Sequence, residues 1–137
     1  MYVVLPGSES VLVVIGLHVG CTTAQRVCHI SLERPDSVST IDSTPAKVEF
    51  EAAACVMGNT LYTVGIGRED KELWKWNAAS YWTRCADMTS YRCLHCAAVV
   101  DSTLYALGGW VDAQGTTPSS SVEAHNTQTN NGLQRVN

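Results

Sequence analysis

Cys55-Val56-Met57-Gly58-Asn59-Thr60-Leu61-Tyr62-Thr63-Val64-Gly65 has a counterpart 43 residues further on, Ala98-Val99-Val100-Asp101-Ser102-Thr103-Leu104-Tyr105-Ala106-Leu107-Gly108. Each stretch is a short apolar run, a polar tight turn, a second run with a tyrosine, and a closing glycine, which is the pattern of two paired strands. A fainter copy lies at Val11-Leu12-Val13-Val14-Ile15-Gly16, after the turn-like Pro6-Gly7-Ser8. Repetition at a fixed period divides the chain into three units, a degenerate one over 1–50 and clearer ones over 51–93 and 94–137.

The runs are too short and β-branched for helices, and their apolar residues follow one another without a helical period. Val99-Val100 and Leu104 to Leu107 read as strands buried on both faces. A polar loop follows each closing glycine. Third strands are expected at Glu72 to Asn77 and Ser121 to His125, and fourth strands at Tyr81 to Ala86 and, more weakly, Leu133 to Val136. Each unit is therefore expected to be a four-stranded antiparallel sheet, and such sheets repeating every 40 to 50 residues point to an all-β propeller.

The 137 residues suffice for one ordinary domain. With 45% hydrophobic and 16% charged residues the chain is not of disordered composition. A net charge of −4, with nine Lys and Arg scattered along the chain, lacks the basic stripe of a nucleic-acid binder. The apolar run Val11 to Gly20 is interrupted by His18 and too short to span a bilayer, and no Lys or Arg precedes it as in a secretory signal. The six cysteines are an even number, yet no Asn-x-Ser/Thr acceptor accompanies them. Reduced thiols and a cytoplasmic location are the expectation.

Asp101-Ser102-Thr103-Leu104-Tyr105-Ala106-Leu107-Gly108-Gly109 resembles the double-glycine strand pair of kelch repeats, and Val122-Glu123-Ala124-His125-Asn126-Thr127-Gln128-Thr129-Asn130 resembles their third strand and turn. In the second unit Trp76-Asn77, Trp82, Met88 and Arg92 are similar to the family's aromatic, Trp, Met and Arg positions, and Tyr62 and Gly65 match Tyr105 and Gly108. The pattern departs from the family at Gly65-Ile66-Gly67 and Gly16-Leu17, which break the double glycine. Gly132 and Ser39 stand where Trp is expected, and Glu49 where Arg is expected. The resemblance implies a partial kelch propeller of two to three antiparallel blades, belonging to a longer protein or closing by self-association through open blade faces.

Blades pack face to face, so their backbones must approach closely, which suits Gly108 and Gly109. Tyr105, Trp76 and Trp82 are expected to fill wider gaps between blades, each contributing roughly 1.5–3 kcal/mol when fully buried. Arg92 is expected to pair or to cap carbonyls at a blade edge.

No catalytic, cofactor-binding or metal-ligating residue is assigned. Cys93-Leu94-His95-Cys96, with Cys85, has zinc-binding residue types, but on a strand Cys93 and His95 point away from Cys96, and buried small thiols are the simpler reading. A copper-radical oxidase, which also uses such propellers, would need a ligand set that no residues here match. No Gly-x-Ser-x-Gly elbow occurs, and Gly65-Ile66-Gly67 precedes no helix that could hold phosphate.

Loops remain as the carriers of function. Arg68 and Glu69 lie in the loop after Gly65, and Trp110 and Asp112 in the longer loop after Gly109. In kelch propellers of the ubiquitin-ligase adaptor type the residue after the double glycine lies on the substrate face, which here is Trp110. Leu94, just beyond Arg92, belongs to the same rim by that resemblance. The resemblance implies a protein partner at these loops, and possible links to cullin ligase machinery through a BTB domain not represented in these residues. An actin or cytoskeletal binder is the alternative.

Overall fold

A computed structural model describes the backbone of residues 2–4, 10–16, 25–31, 38–43, 52–66, 71–112, 114–129 and 131–136, and the side chains of 52–65, 71–112, 114–129 and 136. Its regular structure is all β, in three four-stranded antiparallel sheets, each a simple meander. The first holds β1 (Tyr2–Val4), β2 (Ser10–Gly16), β3 (Gln25–Ser31) and β4 (Val38–Ser43). The second holds β5 (Ala53–Met57), β6 (Thr60–Ile66), β7 (Glu72–Asn77) and β8 (Tyr81–Arg84). The third holds β9 (Cys96–Val100), β10 (Thr103–Leu107), β11 (Val122–Asn126) and β12 (Asn131–Val136).

The tight turns that join the first two strands of the later sheets are built alike. Gly58 (φ +56°) and Asp101 (φ +54°) each begin a two-residue turn in the left-handed region, which matches the twist of the flanking strands. Asparagine shapes the turn between the third and fourth strands. The Asn77 Oδ1 accepts the backbone N–H groups of Ala79 and Ser80 at 3.0 and 2.8 Å, and the Asn126 Oδ1 accepts those of Gln128 and Thr129 at 3.0 and 3.2 Å. Asparagine favours such turns because its side chain competes for neighbouring backbone donors.

Strand register lines up the departures noted in the sequence. Leu61 pairs with Trp76 and Trp76 with Trp82, while Leu12 pairs with His29 and His29 with Ser39. Ser39 thus occupies the register position of Trp82. Leu104 pairs with His125, and Gly132 follows Asn131 as Trp82 follows Tyr81.

The core lies between the second and third sheets. Tyr62, Val64 and Leu73 meet Leu104 and Ala106, with Cys85 and Met88 from the segment after β8 closing the side and Cys55, Met57, Ala97 and Val99 packed at the margin. The first strands run side by side, β1 beside β5 and β5 beside β9. This is the arrangement of a partial propeller, in which each sheet presents its first strand toward a common axis.

Two expectations are corrected here. The third sheet is not buried on both faces: Val100 is 58% and Leu107 37% exposed, because no sheet among the described residues lies on that side. Nor are the thiols uniformly interior. Cys85 and Cys93 are buried and Cys55 partly so, but Cys96 is exposed on the uncovered side of β9.

Candidate functional site

The end of the third sheet where β9 begins and β10 finishes gathers the segment 92–95 and the loop 108–121. Backbone hydrogen bonds lace them together. Cys93 and Trp110 exchange N–H···O bonds of 3.1 and 2.9 Å, Ser119 N–H donates to the Gly109 carbonyl at 2.8 Å, and Val111 N–H to the Thr117 carbonyl at 3.0 Å. The loop after Gly109 is therefore a small built ridge, not an open excursion.

Gly109 allows that contact. It sits at φ +83°, and a Cβ there would stand 2.5 Å from the Cys93 carbonyl oxygen and 2.8 Å from the His95 Cβ. Only glycine fits both the left-handed backbone and the close approach. Gly108, at φ +64°, has more room, its nearest neighbour being the Ser119 carbonyl oxygen at 3.5 Å.

Beneath the ridge lies Arg92, fully enclosed rather than at an edge. Its Nε and one terminal nitrogen each reach the Glu123 Oε1 at 3.2 Å, and the other terminal nitrogen donates to the carbonyls of Gly108 at 2.7 Å and Ser121 at 3.1 Å. The second carboxylate oxygen of Glu123 accepts the Thr89 N–H at 2.7 Å and its hydroxyl at 2.8 Å. Both buried charges are thus paired and their remaining hydrogen-bonding capacity is used, which is the condition for tolerating them inside a protein. Ser119 and Ser121 also bond to Arg92, so these serines belong to the braced floor of the loop.

The sequence pattern overlooked Glu123. Alternation along β11 puts it on the side of His125, Leu104 and Ala106, and a carboxylate on a core face requires a cation. That was the available signal.

On the outer side of the ridge stands Leu94, 63% exposed and held at φ +51°, a backbone conformation that costs a branched residue energy. In the loop strand paired with Cys93, Val111 is 37% exposed and Trp110 is half-buried. Asp112 is directed into its own loop instead. Its Oδ1 accepts Gln114 N–H at 3.1 Å and Thr116 N–H at 2.9 Å, and its Oδ2 accepts Thr117 N–H at 2.6 Å. The Thr116 donor, helped by Thr117, holds its carboxyl at about 2. Arg68 and Glu69 lie outside the described residues.

Burial also acts on His95 and on two of the thiols. Burial pulls the His95 imidazole down to about 4 and pushes the Cys55 thiol up to about 12, with Cys85 raised for the same reason. Among the described residues no three His, Cys, Asp or Glu side chains converge as a metal site.

Residues 91–131 match the family model of the Kelch motif. This segment is a kelch repeat. The match takes in Arg92, Gly108-Gly109, Trp110 and Glu123 together, so the repeat includes its own buried ion pair. A unit boundary between 93 and 94 instead parts Arg92 from Gly108, Ser119, Ser121 and Glu123, the groups it binds. In the second sheet the kelch-like positions are also placed: Tyr62 and Trp76 are buried, Trp82 is half-buried opposite Trp76, and Gly65 takes φ +78°. Tyr105 is half-buried on the uncovered face of the kelch repeat. Kelch motifs generally mediate protein–protein interaction. No curated protein matches the chain.

Proposed function

We propose that this chain is a non-enzymatic interaction module that binds a protein partner through the rim formed by Leu94, Trp110 and Val111. The observation that carries this reading is Leu94: a large apolar side chain, mostly exposed, on a strained backbone position next in the chain to Cys93, which pairs with Trp110. Strain and exposure both oppose folding stability, and such features concentrate where a surface is used. Half-buried aromatics with apolar neighbours are the usual anchors of protein interfaces.

Substrate capture for a cullin-based ubiquitin ligase is the finer form of this reading, with a BTB domain in the parent protein supplying the link to the ligase. An intracellular, cytoplasmic location goes with it. An actin-binding role uses the same surface and is the second reading. A copper-radical oxidase ranks last, since burial keeps His95, Cys55 and Cys85 in their neutral forms.

The test is capture of partners by the wild-type chain and by Leu94→Asp, each checked for an unchanged melting curve, alongside co-sedimentation with filamentous actin. Loss of a discrete captured partner in Leu94→Asp supports the module. Co-sedimentation that Leu94→Asp abolishes favours the actin reading. Capture indifferent to Leu94→Asp and Trp110→Ala contradicts the rim as the binding surface.

A further inference from the structure

Trp110 is the middle of three short antiparallel segments, bridging Cys93 on one side and Pro118 on the other. Val111 N–H donates to the Thr117 carbonyl at 3.0 Å and Ser119 N–H to the Gly109 carbonyl at 2.8 Å. Pro118 therefore sits between two hydrogen bonds, where its missing N–H costs the pairing nothing. By the same register Thr117 stands opposite Val111, and directly opposite residues of an antiparallel pair share a face.

One carboxylate holds the start of the outer segment. The Asp112 Oδ2 accepts the Thr117 N–H at 2.6 Å, while its Oδ1 accepts those of Gln114 and Thr116. The Thr116 N–H first, and then the hydroxyl and N–H of Thr117, keep this carboxyl at about 2, so it is charged at neutral pH.

Thr117 and Pro118 are both exposed. A proline restricts the residue before it to extended backbone and offers no N–H of its own, so the pair presents a hydroxyl in a defined shape. Of the four prolines in the chain two follow a hydroxyl residue, Thr44-Pro45, outside the described residues, and Thr117-Pro118. The neighbouring hydroxyls are committed elsewhere or lack the proline. Ser119 and Ser121 bond to Arg92, and Thr116 and Ser120 are followed by Thr117 and Ser121.

We propose that Thr117 is a phosphorylation site for a proline-directed protein kinase, and that the phosphate releases the outer segment from Asp112 and disables the rim. The Thr117 Oγ1 attacks the γ-phosphorus of ATP. The new O–P bond forms as the bond to the β,γ-bridging oxygen breaks, ADP leaves with that electron pair, and the hydroxyl proton passes to a carboxylate base of the kinase. The product adds a charge of about −1.5 to −2 beside a carboxylate that is already ionised, and the Thr117 hydroxyl no longer donates to it. Arg92, 1% exposed and bound to Glu123 and two carbonyls, is not placed to neutralise the phosphate. The same charge lies opposite Val111, where it opposes apolar docking. The effect on partner capture rests on the rim proposed above, whereas the site and the release of the loop do not.

The test treats the purified chain with ATP and a mitogen-activated protein kinase, maps the phosphate by peptide mass and follows amide hydrogen exchange. Phosphate is expected at Thr117, absent from Thr117→Val, at least tenfold slower to enter Pro118→Ala, and kept in Thr44→Val. Amides of residues 111–119 should then exchange at least tenfold faster, with those of β11 unchanged. Asp112→Asn, which removes the opposing charge, should show a smaller increase on phosphorylation. A partner retained by the wild-type chain should be lost from the phosphorylated one. Phosphate at Thr117 with faster loop exchange supports the site even where Leu94→Asp leaves capture unchanged, an outcome that fails the rim alone. No phosphate at Thr117, equal entry into Pro118→Ala, or phosphate with loop exchange unchanged overturns the proposal. So does capture that Leu94→Asp abolishes and phosphorylation leaves intact.

Discussion

Arg92 and Glu123 form an ion pair 31 residues apart in sequence, at 3.2 Å, with side chains 0% and 1% exposed. The pair joins the segment before β9 to the middle of β11, and through the Gly108 and Ser121 carbonyls it fixes the base of the loop that carries Trp110. Loop shape is thereby set from inside the sheet.

Removing one member of the pair leaves the other buried and uncompensated. Arg92→Ala and Glu123→Ala should each lower stability by about 3–5 kcal/mol in urea unfolding. Removing both should cost clearly less than the two losses combined, because neither charge is then left alone. Additive losses would show that the two side chains do not act as a unit.

Glycine substitutions should separate backbone strain from crowding. Gly58→Ala meets only a left-handed backbone, with nothing within 4 Å of the new Cβ, and should cost about 1 kcal/mol. Gly109→Ala adds a clash with the Cys93 carbonyl and should cost several times more, with Gly108→Ala between them. Thermal melts of the three variants give the order directly.

Stability should depend on pH through His95. Its imidazole is lowered by burial, and further by Arg92, from 6.5 to about 4, against a smaller opposing effect of Glu123. The unfolded chain therefore binds the proton more readily, so the stabilisation is fully present above pH 6.5 and is lost as pH falls toward 4. The full effect is on the order of 3 kcal/mol. His95→Leu should flatten this part of the profile, measured by unfolding at a series of pH values. A profile unchanged by that substitution would remove His95 as its source.

Leu94 should be replaceable at a gain in stability. Asparagine tolerates the left-handed backbone better than leucine, so Leu94→Asn should raise stability by up to about 1 kcal/mol while weakening partner binding. Trp82→Ala, which empties a half-buried site opposite Trp76, should do the reverse, costing roughly 3 kcal/mol with the rim left intact.

The hairpins were legible because their apolar runs and turn residues repeat at one period, and Glu72 to Asn77 falls on β7 itself. The third strand of the first sheet was not legible: Gln25–Ser31 mixes Arg26 and His29 among apolar residues and carries no turn signal of its own. Glu123 escaped notice because its partner lies thirty-one residues away, before the sheet begins. The exposed side of β9 escaped for another reason. Val99-Val100 reads the same whether one face is covered or both, and only packing decides. Asp112 reads as a surface charge, yet its three backbone partners are fixed by the fold of its own loop. Leu94 was placed on the rim by resemblance, but its left-handed backbone follows from the Cys93–Trp110 pairing beside it.

The most direct test of the interaction module is site-specific photo-crosslinking in cells. A photoreactive phenylalanine analogue is placed at position 94 on the rim, or at position 128 in the exposed turn at the opposite end of the third sheet. A discrete covalent adduct with another polypeptide from position 94, absent from position 128 and lost when Trp110→Ala is added, is the predicted result. Equal adducts from both positions, or none from position 94 in a folded chain, would contradict it.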